Sequence, residues 1–331
     1  MVAIDAAAGY VPLYRIARSE IAAQHGGSGQ GESAVPSRDE NHITMASEAT
    51  TAALERAAVD ADDIGAVFAA SVSDYYAEHG VAAQLAYRLG APTDSRTGDF
   101  RGTARAAADA LETARQYVRA TEKPVVVAAA DIMPVEPGGD DEETMGAGAG
   151  ALILRPRSDD PAATIDSVGQ ATTGFLERHR EHGESAEQGD PRFERRHGVQ
   201  PAVTTALERT ETDADPEYAV ASAPGYRFVQ TALQSIDAER LSTFNDVGYA
   251  GTATLLLDIA HALESTETGD SLVAIAYGQG GADAFRLTVT DASDERPGLS
   301  VSEQIETKEY VPYMKHVNSR ERYEYQGVPN T

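Results

Sequence analysis

Short apolar runs alternate with longer stretches of helix-forming residues along most of the chain, and this alternation predicts an α/β fold. Residues 42–58, opening on His42-Ile43-Thr44-Met45, read as a helix, and 64–70 as a buried strand after the turn Asp62-Asp63. A second helix covers 79–89 and ends at Gly90. A third runs over 104–120, followed by Lys123-Pro124 and a strand at 125–130. The glycine-rich stretch 146–150 leads into a strand at 151–154. Beyond a charged interval the pattern resumes with a strand at 218–221 and helices at 226–237 and 250–264. A strand at 272–276 then pairs as a hairpin with 284–289 through Gly280-Gly281.

The helix–strand order of 42–154 thus returns in 218–289. It reads as an internal duplication, with two unrelated α/β layers as the other arrangement the pattern permits. The expected division is an N-terminal half at 1–165, a C-terminal half at 166–290 and a charged tail at 291–331 that packs on the fold or on a partner. Residues 155–216 are the least ordered by composition. Within them, Arg178-His179-Arg180-Glu181-His182-Gly183-Glu184 reads as a solvated excursion, not a core element.

Composition narrows the setting. Acidic residues outnumber basic ones 53 to 27, for a net charge of -26, and only Lys123, Lys308 and Lys315 are lysines. Many carboxylates with almost no lysine suit a protein kept soluble in concentrated salt, where repulsion is screened within about 3 Å at 1 M. A docking surface for a basic partner is the rival reading. No basic stripe exists to neutralise phosphates, which argues against nucleic acid. No apolar run approaches the roughly 18–20 residues of a membrane span, and the first residues lack a signal-peptide pattern. A cytoplasmic location follows by elimination. The chain contains no cysteine, so it forms neither disulfides nor a thiolate metal site. No metal is expected.

That missing cysteine bears on the chemistry. Gly98-Asp99-Phe100-Arg101-Gly102-Thr103-Ala104-Arg105-Ala106 opens an alanine-rich helix after a polar turn. It resembles the nucleophile turn of the 3-hydroxy-3-methylglutaryl-CoA (HMG-CoA) synthase branch of the thiolase superfamily, in its short archaeal form. Further segments are similar to that family in the same order: Gly9-Tyr10-Val11-Pro12-Leu13-Tyr14-Arg15-Ile16, Asp39-Glu40-Asn41-His42, 131–150, Tyr249-Ala250-Gly251-Thr252-Ala253, Tyr277-Gly278-Gln279-Gly280 and the tail from Lys308 to Gly327. The resemblance implies a thiolase fold, two βαβαβ halves stacked in five αβαβα layers, and dimers that take acyl-CoA through a tunnel. It also implies covalent catalysis by one cysteine, helped by a glutamate as general acid/base and by a histidine and an asparagine that polarise thioester carbonyls.

Residue by residue, the resemblance puts Ala104 at the cysteine position, Val72 at the glutamate, Ser222 at the histidine and Val247 at the asparagine. None of these side chains can do the family's work, and a methyl group cannot become a thiolate. A slip of a residue or two would bring in Asp74 or Glu78 as carboxylate and Asn245 or Asp246 for the asparagine. No slip restores a cysteine. His42, His79 and His261 fall on expected helices, and His179, His182 and His197 in the charged excursion, where each reads as an ordinary core or surface residue. Arg227 stands where the family carries a lysine that contacts CoA phosphates, so it is a candidate CoA contact beside the plainer reading of a solvated arginine. Ser222 would be a nucleophile only with a base beside it. The glycines at 146–150 and 278–281 read either as a former oxyanion hole or as turns and close packing.

The expectation is therefore a catalytically degenerate, thiolase-fold subunit of an acyl-CoA-metabolising complex, with no catalytic residues and no cofactor beyond a possible coenzyme A or acyl-CoA ligand. By resemblance its partners are a thiolase and an OB-fold zinc-ribbon protein, through a homo- or heterodimer interface. The alternative is an acyl-CoA-binding hydrolase, transferase or HMG-CoA synthase-like condensing enzyme that uses no cysteine.

Overall fold

A computed structural model of the chain describes residues 2–74, 76, 78–156, 160–176, 178–181, 186–210, 215–290 and 297–324, with backbone alone from 320. Ten strands form one mixed sheet: β1 (Val2–Tyr10), β4 (Ala66–Ala70), β5 (Arg96–Phe100), β6 (Val125–Ile132), β7 (Ala147–Pro156), β8 (Ala163–Thr172), β11 (Tyr218–Ser222), β12 (Glu239–Arg240), β13 (Ser271–Gly278) and β14 (Gly281–Val289). Their spatial order is β12-β11-β13-β14-β8-β1-β7-β6-β4-β5. Read outward from the centre, β1-β7-β6-β4-β5 and β8-β14-β13-β11-β12 repeat one topology, with the same parallel and antiparallel pairings in each. The two half-sheets meet at a short seam, Ala3 opposite Thr164 and Ile4 opposite Ala163. The boundary expected after residue 165 falls inside β8.

Three smaller strands, β2 (Tyr14–Ala17), β3 (Glu32–Val35) and β15 (Glu309–Tyr310), form a separate sheet, so part of the tail packs on the N-terminal segment of the same chain. A two-stranded ribbon joins β9 (Arg178–His179) to β10 (Glu187–Gln188).

The helices are α1 (Arg18–Gln24), α2 (His42–Ala57), α3 (Val81–Leu89), α4 (Ala106–Thr121), α5 (Pro191–Glu194), α6 (Gln200–Glu208), α7 (Tyr226–Leu233), α8 (Phe244–Val247), α9 (Ala253–Ser265), α10 (Val301–Glu306) and α11 (Tyr313–Glu324). They sort into layers by the faces they bury. Helices α2 and α3 pack with the outward side chains of β1, β4, β6 and β7, including Val67, Val126 and Ile153. Helices α6 and α7 do the same for the other half through Val203, Ala206 and Phe228. Helices α4 and α9 lie between the half-sheets in the largest core cluster, with Leu111, Leu256 and Phe285. This is the five-layer arrangement expected.

Local sequence accounts for these elements. Asn41 caps α2 by accepting from the N–H groups of Ile43 and Thr44, while the Thr44 hydroxyl accepts from Asn41 N at 2.8 Å. Helix α9 is apolar on nearly every side and is buried on nearly every side. Helix α4 presents Ala106, Ala107, Ala110 and Ala114 to the core, so the central helices approach closely. The glycines at 146–150 have the structural use anticipated for them, since β7 starts at Ala147 and includes Gly148 and Gly150. A Cβ on Gly150 would lie 2.7 Å from backbone atoms of Leu256 and Leu257, which places α9 directly on the strand.

Two expectations need correction. Residues 155–216 are not chiefly a solvated excursion, because they contain β8 at the centre of the sheet and α6, where Ala202, Val203 and Ala206 are buried. Strand β8 escaped notice because one of its faces is polar, with Asp166 and Gln170 exposed between buried neighbours. Gly98, Asp99 and Phe100, at the start of the segment read as a polar turn before a helix, belong to strand β5 at the sheet edge. Edge position and half-exposure explain its charged sequence. Helix boundaries moved by a few residues: α3 begins at Val81, α4 at Ala106, and α7 ends at Leu233.

Candidate functional site

Parallel strands end together, and the loops that leave them converge. The segment 71–74 follows β4, the turn 101–105 joins β5 to α4, the turn 278–281 joins β13 to β14, and 223–225 follows β11. Together with Leu176, Arg178, His179, Arg180 and Ala186, these loops line a cavity of about 510 Å³.

Two of the four sequence-derived positions line it. Ala104 is 4% exposed, and Val72 is half-buried. Ser222 and Val247 are buried and absent from the wall, where Pro224 and Tyr249 stand two residues further along each segment. Among the described residues the Ser222 hydroxyl has no hydrogen-bond partner, so none of them stands beside it as an activating base.

The turn at Ala104 is held in place by the opposite half. Thr103 Oγ1 donates to the Gln279 carbonyl at 3.0 Å, and the Ala104 N–H donates to the Gln279 side-chain oxygen at 3.3 Å. Gly278 permits this approach, because a Cβ there would meet Thr103 Oγ1 at 2.7 Å and Arg105 N at 2.8 Å. The backbone donor in front of α4 is therefore occupied by the protein's own amide.

Two buried carboxylates fasten the surrounding loops. Asp131, near the end of β6, accepts at Oδ1 from Ser71 Oγ, Val72 N, Ser73 N and Ser73 Oγ at 2.7 to 2.9 Å. Its Oδ2 accepts from Thr252 N and Oγ1, both at 2.6 Å. Asp283 on β14 lies 2.6 Å from Arg105 and accepts from Gln170 at 3.0 Å. Burial pushes its carboxyl up to about 6, against the pull of the Arg105 guanidinium.

Among the alternative residues, Asp74 lines the cavity but is spent on Arg101, 2.5 Å away. Glu78 and Asn245 are exposed, and Asp246 is half-buried on α8; none of the three reaches the cavity wall. His42 is buried with Nε2 2.9 Å from Ser73 Oγ, and burial lowers its pKa, so it stands neutral behind the loop. His79 is exposed and precedes α3, so it is not helical; His261 is half-buried on α9. His197 packs on Phe193 with ring centroids 4.5 Å apart, and His179 lines the cavity. His182 lies outside the described residues. Arg227 is exposed and lines a second cavity of about 260 Å³ with Arg192 and Arg195. Among the described residues, no group of His, Asp or Glu is arranged to hold a metal ion.

Residues that sequence reasoning did not single out are Asp131, Arg178, Arg180, Tyr249 and Gln279. Asp131 carried a legible signal, as a lone acid directly after the apolar run 125–130. Arg180 donates to the Val72 carbonyl at 2.6 Å and Arg178 is 8% exposed, though both were read as solvated.

No protein-family model matches the chain. Hydroxymethylglutaryl-CoA synthase of Thermococcus gammatolerans is 30% identical over 331 residues, covering 95% of this chain and 94% of that protein. A crystal structure of HMG-CoA synthase complexed with CoA superposes with a TM-score of 0.79 at 16% identity, over 96% of this chain and 89% of that one. The structure of 3-oxoacyl-[acyl-carrier-protein] synthase III from Aquifex aeolicus gives a TM-score of 0.76 at 16% identity, over 87% and 100% respectively.

Proposed function

The chain belongs to the hydroxymethylglutaryl-CoA synthase family, and from that membership we propose that it is a non-catalytic, thiolase-fold subunit of an acyl-CoA-metabolising complex. The observation that carries this reading is the absence of any cysteine from a chain that keeps the fold from end to end. Covalent acyl transfer in this architecture needs a thiolate at the Ala104 turn, where a methyl group now stands. The Ala104 N–H, a donor suited to an oxyanion, bonds Gln279 instead. Val72, Ser222 and Val247 add no acid, base or polarising group in compensation.

The proposed partners are an active, cysteine-bearing thiolase and an OB-fold zinc-ribbon protein, with this chain contributing one face of a homo- or heterodimer. The acidic, lysine-poor surface suits a cytoplasmic complex that works in concentrated salt. Pull-down of the tagged chain from its host in high salt, followed by mass spectrometry, tests the reading. Stoichiometric recovery of a thiolase with its cysteine intact is expected. Recovery of the chain alone, as a homodimer, would sink it.

One observation supports the alternative, an acyl-CoA-binding protein with non-cysteine chemistry. Arg192, Arg195 and Arg227 line one cavity, and three guanidiniums there suit the phosphates of coenzyme A. On that reading CoA binds the isolated chain at micromolar concentration and Arg227→Gln weakens it about tenfold, as titration calorimetry would record.

A further inference from the structure

The larger cavity contradicts the charge of the chain around it. Acidic residues outnumber basic ones 53 to 27 overall, yet among the described residues the cavity wall carries Arg101, Arg178 and Arg180 against one carboxylate, Asp74. Asp74 neutralises Arg101. Arg178, 8% exposed, makes one long ion pair among the described residues, with the half-exposed Asp141 at 3.4 Å. Arg180 hydrogen-bonds the Val72 carbonyl and has no carboxylate partner among the described residues.

A second observation is independent of charge. Tyr249, 2% exposed, belongs to the cavity wall, and its buried hydroxyl has no hydrogen-bond partner among the described residues. A buried hydroxyl left unsatisfied is costly, so a donor of this kind marks the place of a missing acceptor. The cavity also lies before the N-terminus of α4, the positive end of a 16-residue helix. Beside these groups the wall has an apolar part, from Val72, Ala104, Met133, Leu176 and Pro224, and neutral polar neighbours in Ser71 and Gln279.

We infer that this cavity binds a free short-chain carboxylate, its carboxylate held by Arg178 and Arg180 with a hydrogen bond from Tyr249, and its carbon chain on Val72, Met133 and Leu176. Burial lowers the basicity of Arg180, the expected state of a guanidinium awaiting an anion in a desolvated site. A bare phosphate would leave the apolar wall uncovered. A neutral thioester would bring no charge to Arg180, and it would find the Ala104 N–H already taken. The inference stands apart from the partner reading, because a scaffold subunit and a free enzyme could each carry such a site.

Titration calorimetry at constant ionic strength tests it, with isovalerate, inorganic phosphate and isovaleryl-CoA as probes. Saturable isovalerate binding is expected, weakened at least tenfold in Arg180→Gln and about tenfold in Tyr249→Phe. Tyr249→Phe keeps the buried ring, and a thermal melt confirms that it is folded. Absence of isovalerate binding, or equal affinity in wild type and Arg180→Gln, overturns the inference. Phosphate binding as tightly as isovalerate, untouched by Tyr249→Phe, would make the cavity a plain cationic site and overturn the carboxylate assignment. Binding of isovaleryl-CoA alone, indifferent to Arg180→Gln, would give the cavity to a thioester.

Discussion

Asp131 and Asp283 are both fully buried, and each belongs to one half of the molecule while holding a loop of the other. Asp131 reaches from β6 to Thr252 ahead of α9, and Asp283 reaches from β14 to Arg105 ahead of α4. The symmetry ends with their chemistry. Asp131 is surrounded by six neutral donors, three of them backbone N–H groups, whereas Asp283 faces one guanidinium and one amide. Neutral donors fixed by the backbone spread the stabilisation of a charge over rigid partners. An ion pair concentrates it in one flexible side chain that must itself be desolvated. The first arrangement suits a permanent clamp. The second leaves its carboxyl balanced near the acid edge of physiological pH, up at about 6.

The comparison is broken most directly at Asp131. Asp131→Ala strands three hydroxyls and three N–H groups in the interior, and a loss of about 4 kcal/mol or more is expected. Chemical denaturation in high salt measures it, and a loss below about 1 kcal/mol would show that water replaces the carboxylate freely. Arg105→Ala comes next, at about 3 kcal/mol near pH 8, because it leaves Asp283 buried and unpaired. The Asp283 site should also respond to pH. Asp283 can take up a proton, so the Arg105→Ala penalty should shrink at pH 5. Melts of wild type and Arg105→Ala from pH 5 to pH 8 decide the point, and a penalty unchanged across that range would contradict it.

A third carboxylate sharpens the lesson with a smaller effect. Asp258 on α9 accepts from Thr243 N and Oγ1 through one oxygen, and its other oxygen is unpaired. Burial pushes it up to about 7, with the Thr243 hydrogen bonds opposing. The folded state then holds a proton that the unfolded state releases near pH 4, so this group's contribution to stability falls between about pH 4 and 7 and is level above. Asp258→Asn mimics the protonated form. It should match wild type at pH 4 and exceed it by about 1–3 kcal/mol at pH 8. Melting curves at both values check it, and a variant that is less stable at pH 8 would refute it.

The sequence was most legible where burial is complete. β4, β6 and β13 are unbroken apolar runs, and α2 and α9 carry clear helical patterns, so the βαβ order and its repetition could be read from periodicity. Legibility failed at half-buried or edge elements. In β8, alternation with Asp166 and Gln170 looked like loop, and β5 at the rim carries Arg96 and Asp99. At the candidate site, Ala104 and Val72 were singled out by the family resemblance, and both line the cavity. Ser222 and Val247 were not, because which residue of a strand-end turn faces inward depends on how the neighbouring half packs. The same limit hid Arg180 and Tyr249. A run of charges reads as solvated until a fold lays it across an opening, and no local pattern announces that.

The central layer has a consequence for biosynthesis. Helix α9 covers β7 and β1, strands that leave the ribosome well before it does, with roughly a hundred residues of chain between the end of β7 and the end of α9. At ordinary elongation rates of about 5–20 residues per second, the first half waits on the order of 5–20 s with the apolar face beneath α9 open to solvent. The Gly148–Gly150 surface, which admits α9 so closely once folding is complete, is for that interval an adhesive strip. A nascent chain of this kind should depend on a chaperone at mid-length, and a stalled ribosome complex ending near residue 200 would be the place to capture one.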